Sequence, residues 1–171
     1  MPSGEVVVRA AGPGDDGAIA DTLGRAFGRD DETVLVRRLQ NAGTAVASLV
    51  AEVGGVVVGH ALVSRVAARI DGRPIEVMAL APVCVRPTHR RRGIGTGLIE
   101  AAIECAADAG AEAVLVLGDP AFHARFGFSR GRAWVFSAGR SGDALQALEI
   151  VPGALSGESG TVDFPCAHTD A

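Results

Sequence analysis

The sequence predicts a mixed α/β domain of α+β-like character, in which an antiparallel meander is followed by a crossover helix and a parallel strand. Two observations indicate this order. In the first half, β-branched runs are joined by two-residue turns of the kind that close β-hairpins. Later, the wholly apolar run Val114–Leu117 follows a helix-period segment, as expected of a buried parallel strand. The 171 residues fit a single domain, 1–171, with a continuous core.

The first half carries one strand, two helices and then the meander. Ile19, Leu23 and Phe27 stand at four-residue spacing on one face of the first helix. Gly54-Gly55 and Asp71-Gly72 supply the hairpin turns. The predicted elements are a strand at Val6–Arg9, a helix from Pro13, a helix from Asp30 to Asn41, and strands at Val46–Val53, Val56–Arg69 and Ile75–Val85.

The second half begins with a helix whose apolar face includes Leu98 and Ala102 and which ends at Gly110. The elements after it are less regular. They are a strand at Val114–Leu117, a short helix at Ala121–Phe126, strands near Ala133–Phe136 and Leu145–Val151, and a hairpin or loop at Gly153–Gly160.

An arginine- and glycine-rich loop separates the third meander strand from the helix. It predicts an anion site, because the unpaired N–H groups of a helix start point outward and the helix dipole favours negative charge. Glycine lets a phosphate approach without a Cβ in the way. The run is Val83-Cys84-Val85-Arg86-Pro87-Thr88-His89-Arg90-Arg91-Arg92-Gly93-Ile94-Gly95-Thr96.

Other functions of this loop are weighed from the same residues. A Walker loop requires a lysine, and the sequence contains none; the dinucleotide fingerprint fails because its third glycine, Gly97, comes too early. Three consecutive arginines also fit a solvated charged face or a nucleic-acid patch. The strand, Pro87 and the glycines around them favour the anion loop instead.

Composition narrows the function further. A net charge of −4 argues against nucleic-acid binding, and the lack of lysine excludes Schiff-base chemistry. No apolar run approaches the ~20 residues of a membrane span, and the first residues carry no secretory signal, so we expect a cytoplasmic protein without a membrane partner. Cys84, Cys105 and Cys166 are too widely spaced for a zinc site or a disulfide framework, which predicts no metal and small buried thiols.

The loop and its neighbours resemble the GNAT superfamily of acetyl-CoA-dependent N-acetyltransferases. Arg90-x-x-Gly93-x-Gly95, with Val85-x-Pro87 upstream, resembles the pyrophosphate loop of that superfamily. The order of elements resembles the GNAT fold from about Val6 to about Phe136. Three further segments resemble a small bacterial branch of the superfamily: Leu117-Gly118-Asp119-Pro120, Arg125-Phe126-Gly127-Phe128 and Pro152-Gly153-Ala154-Leu155.

The resemblance implies a splayed central sheet and acetyl-CoA as cosubstrate. Pro82 supports the splay, because proline cannot donate to the β-ladder, although an ordinary edge or bulge has the same effect. The pantetheine arm is then expected along the backbone of the strand beside the splay. The implied cofactor-binding residues are Val83, Cys84, Val85, Arg90, Arg91, Arg92, Gly93, Ile94, Gly95, Thr96 and Asp119.

The resemblance also implies direct transfer of an acetyl group to an amine. Many relatives protonate the leaving thiolate with a tyrosine, and His123 holds that position in a chain without tyrosine. An imidazolium can supply the proton, and a packing histidine is the alternative. Ala79 stands where some relatives place a glutamate base; Glu76 and Glu52 are only nearby, so a water relay remains open.

The acceptor is expected to be a small-molecule amine. Phe27 would wall its pocket, and Asp30, Asp31 and Glu32 would attract a cation, although acids at a helix start also serve as caps. The sequence does not decide between a monomer and a homodimer. Two other functions remain: a catalytically idle acyl-CoA sensor, favoured by the missing tyrosine and strand carboxylate, and a protein or peptide N-acetyltransferase.

Overall fold

The computed structural model describes residues 4–136 and 145–165, which form a main sheet, a small second sheet and four α-helices. Cys166 lies outside the described residues. The helices are α1 (Asp16–Phe27), α2 (Asp31–Asn41), α3 (Ile94–Asp108) and α4 (Pro120–Ala124). The strands are β1 (Val6–Ala10), β2 (Ala45–Val53), β3 (Val56–Val66), β4 (Ala68–Ile70), β5 (Arg73–Pro74), β6 (Val77–Val85), β7 (Ala113–Leu117), β8 (Leu145–Glu149) and β9 (Gly160–Val162).

The main sheet has the strand order β1-β2-β3-β6-β7-β8 and is antiparallel except where β6 meets β7. The meander and the later parallel strand are therefore confirmed. Helix α3 makes the crossover between β6 and β7 and packs on the sheet through Leu98, Ile99, Ala102 and Ala106, each at most 1% exposed. Burial of this stripe fixes the start of α3 beside the end of β6.

Both predicted hairpin turns form. Gly54 and Gly55 have φ of +58° and +79°, and Asp71 and Gly72 have φ of +50° and +78°. Two consecutive positive φ values are what the tight primed turns of a hairpin require, because their twist matches that of the flanking strands.

Three predicted strands need correction. Val56–Arg69 is not continuous: β3 ends at Val66, and β4 leaves the main sheet to pair with β5 and β9, so that Ile70 is buried in a separate apolar cluster. Ile75–Val85 likewise begins two residues later, at Val77. The predicted strand Ala133–Phe136 is a 3-10 turn, because its backbone N–H groups bond to carbonyls three residues earlier.

The sheet splays between β6 and β7. Parallel pairing joins Val77–Ala79 to Ala113–Leu115 and goes no further along the described strands, although β6 continues to Val85. Pro82 has no N–H to donate, and on its other side β6 shifts register against β3. The C-terminal part of β6 therefore borders a cleft instead of a neighbouring strand. The splayed sheet is confirmed.

Candidate active site

A cavity of about 630 Å³ lies at the cleft, between the end of β6 and the start of α3. We call it the loop cavity. Its lining includes most of the residues that the sequence predicted for cofactor binding. They are Val83, Cys84, Val85, Arg90, Arg91, Gly93, Ile94, Gly95 and Thr96. Arg92 and Asp119, both within the described part of the chain, stand outside that lining.

The start of α3 forms the polar end of the loop cavity. Gly93 caps the helix with φ of +78°, a conformation that L side chains rarely adopt. The first N–H groups of a helix have no intrahelical acceptor, and Ile94, Gly95 and Thr96 line the cavity at that point. A Cβ on Gly95 would sit 3.7 Å from Val85 and 3.9 Å from Phe122. The cavity therefore presents backbone donors close to an apolar wall.

The three arginines of the loop have different surroundings. Arg90 donates from Nε to the Val85 carbonyl and from Nη2 to the Ala26 carbonyl, each at 3.2 Å, and so ties the loop to the end of α1. Arg91 lines the cavity from a backbone with φ of +64°. Arg92 is exposed. The sequence could not separate them, because identical neighbouring side chains differ here only by backbone direction.

The loop cavity also contains residues that the sequence analysis did not assign to it. The guanidinium of Arg125 lies 5.6 Å from the ring centre of Phe122 and 5.9 Å from that of Phe126, within cation–π range. Arg125 and Phe122 line the cavity together with His89. A signal was present for Arg125, because it belongs to the segment Arg125-Phe126-Gly127-Phe128 quoted for the bacterial branch.

A second cavity, of about 470 Å³, adjoins the loop cavity. The two share Phe27, Val83 and Phe122 in their linings. Most of the remaining lining is apolar, from Leu35, Leu80, Ala81, Pro82, Ile99, Leu117, Phe164 and Pro165. The polar lining comes from Arg29, Glu32 and His123.

His123 is held tightly on α4. It is 9% exposed, its ring packs edge-on against Phe122 and Phe128, and Nδ1 has no hydrogen-bond partner among the described residues. A Cβ on Gly118 would approach the ring to 2.9 Å, so a larger residue there would displace the imidazole. Burial lowers the pKa of His123, and Asp119 partly opposes that effect. Asp119 itself caps α4, accepting a hydrogen bond from the Ala121 N–H at 3.0 Å.

The carboxylates considered as a base lie elsewhere. Glu52 pairs with Arg9 at 3.2 Å, and neither Glu52 nor Glu76 lines either cavity. Ala79 is buried within the paired part of β6. The acid that lines one of these two cavities is Glu32, which is 4% exposed. Its position three residues before buried Leu35 could have indicated burial, but its place at a helix start favoured the capping interpretation.

We next consider metal binding, membrane spans and the free cysteines of the described residues. Across 4–136 and 145–165 we find no cluster of three or more His, Cys, Asp or Glu side chains arranged for a metal ion. None of the helices in these ranges has the length and apolarity to cross a membrane. Cys84 is buried, which raises its thiol pKa to about 12, and Cys105 is half-buried.

Comparisons with known proteins agree with this geometry. Residues 18–128 match the Acetyltransferase (GNAT) family. YhbS of Escherichia coli K12, described as an uncharacterized N-acetyltransferase, is 30% identical over 162 residues, which cover 93% of this chain and 96% of YhbS. YjhQ of the same organism, also described as an uncharacterized N-acetyltransferase, is 34% identical over 67% of this chain and 64% of its own length.

Solved structures give the same result. The crystal structure of Escherichia coli YhbS in complex with CoA superimposes with a TM-score of 0.83 at 28% identity, covering 96% of this chain and 92% of that one. A GNAT family acetyltransferase from Brucella melitensis in complex with acetyl-CoA gives a TM-score of 0.77 at 28% identity, covering 95% and 97%. With its family match, its near full-length relative and its splayed sheet, the chain belongs to the GNAT acetyltransferase family.

Proposed function

We propose that the protein transfers the acetyl group of acetyl-CoA directly to the amine of a small molecule. Family membership makes the chain an acyltransferase that uses this cosubstrate. The observation that carries the finer proposal is the pair of adjoining cavities, one with helix-start donors and one mainly apolar, which share Val83. Two substrates held in these cavities would meet at that residue without an intermediate carrier on the protein.

The loop cavity has the chemistry that coenzyme A requires. Its pyrophosphate would bind the first N–H groups of α3, with Arg91 adding a positive charge. The pantetheine arm would lie along Val83–Val85, where β6 has lost its pairing with β7. Its amides would there bond to strand backbone, as a neighbouring strand would.

Transfer then follows from the position of the thioester. The acceptor ammonium first gives up a proton to water, and the neutral amine attacks the thioester carbonyl. Its nitrogen then loses a second proton to water, while the N–H groups of the unpaired end of β6 would stabilise the oxyanion of the tetrahedral species. Collapse breaks the carbon–sulfur bond and releases the thiolate of coenzyme A. We assign His123 as the donor of the proton that this thiolate takes up, since it lines the acceptor side beside shared Phe122. Its lowered pKa makes the imidazolium a stronger acid, although less of it is protonated at neutral pH.

The test is an acceptor screen with acetyl-CoA. Release of free thiol is measured while mass spectrometry follows the gain of one acetyl group on each candidate, with small amines, peptides and amine-free controls in parallel. We expect release only with small amines. Acetylation confined to peptides would favour the peptide N-acetyltransferase, and coenzyme A binding without thiol release for any acceptor would favour the idle sensor.

A further inference from the structure

We infer that the acceptor is a primary amine carried on a compact apolar body, and that Glu32 selects it by binding the ammonium group in the second cavity. This inference rests on the proposed function and specifies its substrate class. Glu32 would be a specificity-determining residue at the acceptor side, and the apolar walls would hold the rest of the molecule.

The second cavity combines apolar walls with one buried carboxylate, that of Glu32. Its walls are largely aliphatic and aromatic, for example Leu80, Ile99 and Phe164. Among the described residues of its lining, Glu32 contributes the one carboxylate. A cationic amine entering an apolar cavity loses its hydration and needs an opposite charge inside. Glu32 supplies that charge next to surfaces that suit an apolar body.

A helix-start role does not account for the burial of Glu32. Asp31 occupies the same first turn of α2, complements the same helix dipole and keeps its side chain 44% exposed, whereas that of Glu32 is 5% exposed. An acid can thus stabilise this helix start from the solvent. Burying a carboxylate carries a desolvation cost, and a structural role at the helix start does not require it.

Arg29 stabilises the buried carboxylate without filling the cavity. Its Nε donates to both carboxylate oxygens of Glu32, at 3.0 and 3.1 Å, and its Nη2 also contacts Oε1. The Arg29 side chain is 44% exposed and lines the same cavity, so the ion pair lies where the cavity meets the solvent. The geometry is that of a guanidinium–carboxylate ion pair, and an ionised carboxylate is also the form that accepts hydrogen bonds from an ammonium group.

The same walls disfavour acceptors with many polar groups. A polyamine or an amino sugar would place further ammonium or hydroxyl groups against aliphatic side chains, where they lose hydration without gaining partners. A single amine on an aromatic or aliphatic body avoids that cost. The structure therefore favours 2-phenylethylamine over spermidine as a probe of the cavity.

Binding tests this inference without any transfer step. Titration calorimetry measures 2-phenylethylamine, its neutral counterpart 2-phenylethanol and spermidine on the protein saturated with coenzyme A, which carries no acetyl group. We expect the amine to bind at least about 10-fold more tightly than the alcohol, as one buried charge pair allows, and more tightly than spermidine. Equal binding of amine and alcohol, stronger binding of spermidine, or no binding of 2-phenylethylamine would overturn the inference.

Two variants assign the effect to Glu32. Glu32→Gln should remove the preference for the amine over the alcohol, while Asp31→Asn, which removes a charge from the same helix turn and the same arginine, should retain it. Coenzyme A stabilisation of both variants against heat checks their folding. A preference unchanged in Glu32→Gln would overturn the inference; if that variant does not fold, the wild-type comparison of amine, alcohol and spermidine decides.

The outcomes also separate this inference from the proposed function. Amine selection through Glu32 with no thiol release from acetyl-CoA would contradict acetyl transfer and leave the selection standing. Acetylation of spermidine that Glu32→Gln does not alter would contradict the selection and leave acetyl transfer standing.

Discussion

The two adjoining cavities are built in different ways. One contiguous stretch, 83–96, supplies most of the residues that line the loop cavity, and the backbone at the start of α3 contributes to its polar end. The second cavity is assembled from α2, β6, β7, α4 and the chain around Phe164, and its polar groups are side chains. In the proposed assignment, cosubstrate recognition depends on a local conformation, whereas acceptor recognition depends on how distant elements pack.

This difference predicts how each side responds to substitution. A backbone site tolerates most side-chain changes but fails when a glycine that admits the phosphate is replaced by an acid. A side-chain site changes selectivity when one charged residue is replaced.

Gly95→Asp should have the largest effect, because it introduces a carboxylate where the pyrophosphate is proposed to bind. Repulsion between this carboxylate and the pyrophosphate should lower the affinity for coenzyme A by about 1000-fold. Gly95→Ala is the matched control, since its Cβ makes only ordinary contacts with Val85 and Phe122. Calorimetric titration with coenzyme A measures both variants, and comparable affinities for them would contradict the backbone site.

His123→Gln should lower kcat by about 100-fold, the usual loss for a general acid, with little change in coenzyme A affinity. The imidazole is the group that titrates, and burial places its pKa below the ordinary 6.5. Protonated donor is lost as pH rises through that pKa, so wild-type kcat should carry a limb that falls with pH there. The pH profile of the variant should lack this limb; an unchanged kcat and profile would leave His123 as a packing residue.

Arg91→Ala should have a smaller effect, raising the KM for acetyl-CoA by about 5-fold with kcat nearly unchanged. Phosphates bind alike in the ground and transition states, and the backbone donors remain. Arg92→Ala is the control, because Arg92 stands outside the cavity lining. Steady-state kinetics with varied acetyl-CoA distinguishes them, and equal effects of the two substitutions would mean that the arginines act only through general charge.

The contiguous side of the site could be read from the sequence because spacing alone places its residues at one helix start. The acceptor side could be predicted only in outline. The sequence places Phe27 and the acidic run Asp30–Glu32 near the acceptor, and Phe27 and Glu32 do line the second cavity. Which of the three acids is buried depends on the packing of α2, and a run of acids at a helix start does not reveal it. Similarly, Arg91 and Arg92 differ through a left-handed backbone that identical side chains do not reveal.

The fold shows the same limit. Tight turns with glycine and the apolar run of β7 are local signals, and they predicted the meander and the parallel strand. The break between Val66 and Ala68 depends instead on the distant strand β9, which pairs with β4 and draws it out of the main sheet. The segment Trp134–Phe136 was also mispredicted from local signals. Its residues favour a strand, but they form a 3-10 turn in which Val135 and Phe136 are buried in succession instead of alternately.

We propose that the two cavities hold both substrates at once and meet where the acetyl group is transferred. A conjugate that joins coenzyme A to 2-phenylethylamine through an acetyl bridge spans both cavities, and calorimetry compares its affinity with that of coenzyme A alone. We expect the conjugate to bind about 100-fold more tightly, because the second half binds without a separate loss of translational freedom. A conjugate that binds no more tightly than coenzyme A would contradict the claim.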